Sequence, residues 1–138
     1  MADQTIKVLH CPLDDFGGTD LFSLWNECFE FIWEAKTSKK NILVHCDGGV
    51  NRAPTIVVGY LISKENYTLR DAFTLLSKVR PSIAPRKAYI DQLRKLEVQL
   101  TGKDTLGSDP CIESLEDKWA SAGKVLEELR EKKQGEED

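Results

Sequence analysis

The sequence predicts an α/β fold, a small central sheet flanked by helices, with a C-terminal amphipathic helix after it. Three observations carry that class. Ile42, Leu43 and Val44 form a short apolar run with β-branched character, as expected of a buried strand ending at His45. A loop bearing Gly48 and Gly49 follows, and beyond it Pro54 suits the first turn of a buried helix over the apolar stretch 55–63. Elsewhere apolar residues recur at three- and four-residue steps, the pattern of helices with one buried face.

Taken in order, Thr19 is placed to cap a helix running to about Lys36, with Leu21, Leu24, Trp25, Cys28, Phe29, Ile32 and Trp33 turned inward. Residues 37–40 read as a polar turn before the strand at Ile42. Tyr67 precedes a capping pattern from Thr68 to Asp71, which starts a helix carrying Ala72, Phe73, Leu75 and Leu76 and ended by Arg80 and Pro81. The next helix begins near Pro85 and spaces Tyr89, Ile90, Leu93, Leu96 and Leu100 along one face.

Residues 102–110 form a polar, glycine-bearing linker. Ser114 to Asp117 then fits a capping box, and Ile112, Leu115, Trp119, Ala122, Leu126 and Leu129 mark the amphipathic helix, either folded back onto the domain or offered to a partner. Residues 134–138 are an acidic tail. The chain thus divides into a domain at 1–101, a linker at 102–110 and a helix with its tail at 111–138.

A chain of 138 residues, 41% hydrophobic, can bury one core. Its net charge of −4 argues against nucleic acid or an anionic membrane as the main partner. Cys11, Cys28, Cys46 and Cys111 show neither CxxC spacing nor a regular framework, which disfavours metal clusters and disulfide scaffolds and fits a reducing cytosol. With no bilayer-spanning apolar run and no signal-peptide pattern, the expectation is a soluble, cytoplasmic protein, with nuclear access left open.

The chemistry is concentrated in residues 41–54, NILVHCDGGVNRAP. Glycines free the backbone so that successive N–H groups, those of residues Asp47, Gly48, Gly49, Val50, Asn51 and Arg52, can converge on one anion. A helix N-terminus adds a favourable dipole. Cys46 under that anion would be held as a thiolate by the same donors and by Arg52, whose guanidinium can grip two oxygens of a phosphoryl group in parallel. The loop is not a nucleotide-binding P-loop, because Arg52 and Ala53 stand where Lys and Ser/Thr are required.

With His45, Cys46 and Arg52 matching His-Cys, five residues, Arg, the chain resembles the cysteine-based protein tyrosine phosphatases, and among them the dual-specificity protein phosphatases. Two more stretches carry the resemblance. PLDDFGGTDL from Pro12 is similar to the family's acid loop, with Asp15 standing 31 positions before Cys46, and RPSIAPRKAYIDQL from Arg80 is similar to the start of its closing helix. The resemblance implies a phosphatase-like core, a Cys46 nucleophile, an Asp15 general acid and a phosphocysteine intermediate, with no metal or cofactor. Asp14 is chemically equivalent to Asp15, and the acidic residues beside Gly17 and Gly18 also suit a plain turn. A mobile loop would deliver the acid. His45 would bond the loop backbone and fix Cys46.

The expected substrates are proteins bearing phosphotyrosine, phosphoserine or phosphothreonine. The chain departs from the family at Ala53, where a Ser or Thr hydroxyl usually assists breakdown of the intermediate, and at Asp47, an extra negative charge. Those departures admit an oxyanion-binding pseudophosphatase or adaptor, and Arg52-Ala53-Pro54 also resembles plant glucan phosphatases. Arg86 and Lys87 stand where the family often has an asparagine, and read as a solvated pair or an attraction for a second phosphate. The resemblance further implies strands and a helix before Ile6, so the first strands of the fold are absent and the domain is expected to be N-terminally truncated. The strands at Ile6 and Ile42 would then pair directly, bind another chain's edge in a homodimer, or stay exposed.

Overall fold

The computed structural model describes residues 6–46, 51–107, 114, 116, 117, 120 and 127–130. A short 3-10 turn, Leu21–Ser23, leads into α1 (Trp25–Thr37), and α2 (Arg52–Lys64), α3 (Leu69–Val79) and α4 (Lys87–Thr101) follow. Helix α2 is apolar nearly all round and sits at the centre, packed on α1, α3 and α4. Its Gly59 lets α1 approach, since a Cβ there would stand 2.7 Å from Phe29 Cζ. Trp25 and Phe29 stack with ring centroids 5.7 Å apart, and both are buried with Cys28, Val58, Phe73, Tyr89 and Leu93.

The expected central sheet is not seen among the described residues, which contain helices, turns and irregular chain but no strand. Residues 6–9 and 41–46 carry no regular secondary structure, with Ile6 83%, Val8 82% and Leu43 80% exposed. A strand is defined by a neighbour that completes its ladder, and no such ladder is formed among the described residues. Among the described residues these two stretches do not pair with each other as strands.

The helix boundaries follow from local chemistry. Asp20 caps the 3-10 turn by accepting the Phe22 N–H at 3.1 Å, while the Thr19 hydroxyl expected to cap α1 instead accepts the Asp14 N–H at 2.7 Å. At the other end of α1 the polar stretch 37–40 is a Schellman turn: Lys39 takes φ +56°, and the Lys39 and Lys40 amides return to Lys36 O and Ala35 O. Thr68 caps α3 as expected, accepting the Asp71 N–H at 3.0 Å. Trp33, expected inside, is 38% exposed, with the Lys36 and Lys64 ammonium groups 5.9 and 6.0 Å from its ring. Leu100, likewise, is 51% exposed.

Cys11 and Cys28 are joined as a disulfide, contrary to the expectation from their spacing. It ties the extended N-terminal segment to α1. The Ser114 capping box is formed, Asp117 N donating to Ser114 Oγ at 3.1 Å and Ser114 N to Asp117 Oδ2 at 3.2 Å. At Glu116 the C-terminal element folds back, its carboxylate accepting the Lys87 N–H at 2.8 Å. Ile112, Leu115, Trp119, Ala122 and Leu126, the rest of its expected apolar stripe apart from Leu129, lie outside the described residues. No helix among the described residues is long and apolar enough to cross a membrane.

Candidate active site

Cys46 ends the described stretch 41–46 and Arg52 opens α2. The Ala53 N–H, in the first turn of α2, donates to Cys46 Sγ at 3.2 Å. A helix N-terminus aimed at sulfur stabilises negative charge there, through the donated N–H and through the aligned peptide dipoles behind it. Ala53 itself is 8% exposed and brings no side-chain donor. Asp47, Gly48, Gly49 and Val50, expected to supply phosphate-binding amides, lie outside the described residues, as does the loop backbone that His45 was expected to bond. His45 is exposed.

Arg52 meets the segment that carries Asp15. Its Nε stands 3.5 Å from Asp15 Oδ1, which places Asp15, Arg52 and Cys46 around one site. The two acidic candidates are now distinguished by what their carboxylates do. Asp14 Oδ1 accepts the Phe16 N–H at 2.6 Å in a turn of its own, and the Asp14 carboxylate also packs where a Cβ on Gly18 would stand, 2.8 Å from Oδ2. Asp15 is the one facing the arginine.

The acid loop is braced from several sides. Tyr89 Oη donates to Asp14 O, Gln92 Nε2 donates to Thr19 O at 2.8 Å, and Gln92 Oε1 accepts the Leu21 N–H at 2.7 Å. Gly17, at φ +93°, lies so near the start of α4 that an added Cβ would be 3.0 Å from Ala88 Cβ. Gly17 and Gly18 both stand at close contacts that a Cβ would crowd.

Two side chains at this site were not foreseen in these roles. Asn51 was expected to contribute backbone, yet its side chain is buried and bonded to Asp15 and to the Arg86 amide. Arg86, read as part of a solvated pair or as an attraction for a second phosphate, is 9% exposed and donates from Nε to Asp15 O at 2.8 Å, with its guanidinium 5.5 Å from the Phe16 ring centroid and 3.5 Å from Glu116 Oε1. An arginine standing where the resemblance places an asparagine was the one legible signal. Its side-chain partner, the Asp15 carbonyl, lies 71 residues away.

Comparison with known proteins identifies the family. Residues 1–99 match the family model described as dual specificity phosphatase, catalytic domain. The chain is 42% identical over 106 residues to dual specificity protein phosphatase 19 of Mus musculus, covering 77% of this chain and 44% of that protein. It therefore spans less than half the length of this relative. Among solved structures, human DUSP28 is similar with a TM-score of 0.62 at 25% identity, over 64% of this chain and 60% of that one. A mouse dual specificity phosphatase complexed with zinc tungstate gives a TM-score of 0.63 at 25% identity, over 66% of this chain and 57% of that one.

Proposed function

The chain belongs to the dual specificity phosphatase catalytic-domain family, and on that premise we propose that it hydrolyses phosphomonoesters through Cys46, with phosphotyrosine, phosphoserine or phosphothreonine in proteins as substrates. The observation that carries this reading is the Ala53 amide on the Cys46 sulfur with Arg52 at the same helix end. In the first step the Cys46 sulfur forms a bond to phosphorus as the phosphorus–oxygen bond to the leaving group breaks. Arg52 holds the non-bridging oxygens, and Asp15 passes its proton to the departing oxygen.

In the second step water attacks the phosphocysteine and gives a proton to Asp15. The sulfur–phosphorus bond breaks, inorganic phosphate leaves and the thiolate is restored. Arg52, with its Nε 3.5 Å from Asp15 Oδ1, balances the carboxylate in one step and the phosphoryl charge in the other.

A second reading is favoured by Ala53: with a backbone N–H as the donor from that position and no hydroxyl, the thiolate is a poorer leaving group, and the site would bind oxyanions with little turnover. Hydrolysis of 4-nitrophenyl phosphate by wild type and Cys46→Ser separates the cases. Turnover abolished by the substitution supports the enzyme, and full turnover in Cys46→Ser overturns it. Tungstate binding without measurable hydrolysis in wild type would favour the second reading.

A further inference from the structure

The Asn51 side chain, 3% exposed, joins three parts of the fold at once. Its Nδ2 donates to Asp15 O at 3.0 Å and to Asp15 Oδ1 at 3.1 Å, and its Oδ1 accepts the Arg86 N–H at 2.7 Å. Its main-chain carbonyl accepts the Thr55 hydroxyl at 2.8 Å and the Thr55 N–H at 3.2 Å, which fixes it on the first turn of α2. Donor and acceptor ends of the amide are both used, so the network has no slack. Arg86 completes it by donating to the same Asp15 carbonyl at 2.8 Å.

We infer that Asn51 is the residue that positions the general acid: its amide, steadied by Arg86, holds the Asp15 carboxyl beside Arg52. This rests on the phosphatase reading above. Other residue types fail here for physical reasons. A serine is too short to reach both Asp15 and Arg86. An apolar side chain would leave the Arg86 N–H and the Asp15 carbonyl without this partner. Aspartate would keep the acceptor for Arg86 but turn a carboxylate toward a carboxylate. Since a displacement of 1 Å at a reacting group can cost about 100-fold in rate, a brace on the acid is worth much when proton donation limits turnover and little when it does not.

The test therefore varies the leaving group. Wild type, Asn51→Ala, Asp15→Asn and the double variant are assayed on 4-nitrophenyl phosphate, whose leaving group departs readily, and on phenyl phosphate, whose leaving group needs the proton. Asn51→Ala should lose about 10-fold or more on phenyl phosphate and clearly less on 4-nitrophenyl phosphate, and the phenyl loss should shrink in the Asp15→Asn background. Equal losses on both substrates, or an undiminished loss in that background, overturn the inference. Asn51→Asp, which keeps the acceptor for Arg86, should show the same selective loss if Asn51→Ala does not fold. Amide hydrogen exchange provides a readout independent of turnover: faster exchange at residues 13–19 and Arg86 in Asn51→Ala supports the brace, and unchanged exchange overturns it. Should wild type show no Cys46-dependent hydrolysis, the phosphatase reading falls while the exchange measurement still decides the brace.

Discussion

The Ala53 amide donates to the Cys46 sulfur at 3.2 Å, so the residue at this position reaches the nucleophile through its backbone and not through its side chain. A serine there would add a hydroxyl beside the same atom. Hydrogen bonds to charged groups are worth about 1.5–3 kcal/mol, and one that stabilises the departing thiolate should speed breakdown of the phosphocysteine by about 10-fold or more. Wild type is expected to show a burst of 4-nitrophenol followed by slow turnover, and Ala53→Ser to raise the slow phase while leaving the burst unchanged. Stopped-flow traces with no burst, or a slow phase unaltered by the serine, would place the limiting step elsewhere.

Asp15 and Asp14 are adjacent, yet their carboxylates point to separate tasks: Asp15 Oδ1 lies 3.5 Å from Arg52 Nε, while Asp14 Oδ1 accepts the Phe16 N–H. Asp15→Asn should reduce phenyl phosphate turnover by about 100-fold or more, the usual worth of a positioned acid. Vanadate affinity should hold or rise, because a carboxylate competing for Arg52 has been removed. Asp14→Asn keeps an acceptor for Phe16 and should retain most activity. If Asp14→Asn proved the more damaging of the two in steady-state assays, the assignment of roles would reverse.

What could be read from the sequence was what local chemistry decides. The caps at Thr68 and Ser114 and the buried faces at Tyr89, Ile90 and Leu93 each depend on residues within one or two turns, and each is formed. The sheet was not legible, because residues 42–44 satisfy every local requirement of a strand while their ladder depends on a neighbour elsewhere in the chain. Trp33 misled because periodicity assigns a face without registering that two lysines stand by its ring. Thr19 misled because the Asp14 amide competes for its hydroxyl. At the site, Cys46 and Arg52 were read from the chemistry of their loop and Asp15 from the resemblance, whereas the link through Asn51 and Arg86 spans 35 and 71 residues and leaves no local trace.

Tyr60 supplies a pH dependence at the alkaline end. It is buried and donates to Glu65 Oε1 at 2.7 Å, and Glu65 is also paired with Lys36. Burial, then the hydrogen bond to Glu65 and its charge, push the phenol up from 10.0 to about 12. Between these values the unfolded chain has lost a proton that the folded chain keeps, so stability is complete below pH 10 and falls as pH rises toward 12. The loss should be of order 2 kcal/mol across that interval. Urea midpoints at pH 9 and pH 11 should separate in wild type by more than in Tyr60→Phe, and equal separation would show that the phenol contributes nothing to the slope.

Glu97 is a carboxylate inside the fold, 1% exposed, with no part in the proposed chemistry. Its Oε2 accepts the Leu69 N–H at 2.7 Å, taking up one of the free donors at the start of α3, and its Oε1 accepts the Thr105 N–H at 2.7 Å. The Thr105 hydroxyl lies 3.0 and 2.8 Å from the two oxygens. One side chain on α4 thus holds both the N-terminus of α3 and the segment that follows α4. Glu97→Ala would leave two main-chain donors without their acceptor and open a cavity, a loss of about 3 kcal/mol or more. Glu97→Gln keeps one oxygen but turns an NH2 donor toward another donor, so its cost should fall between wild type and alanine. Urea unfolding should order the midpoints as wild type, glutamine, alanine, whereas indistinguishable glutamine and alanine variants would mean that the charge, and not the pair of acceptors, holds the two segments together.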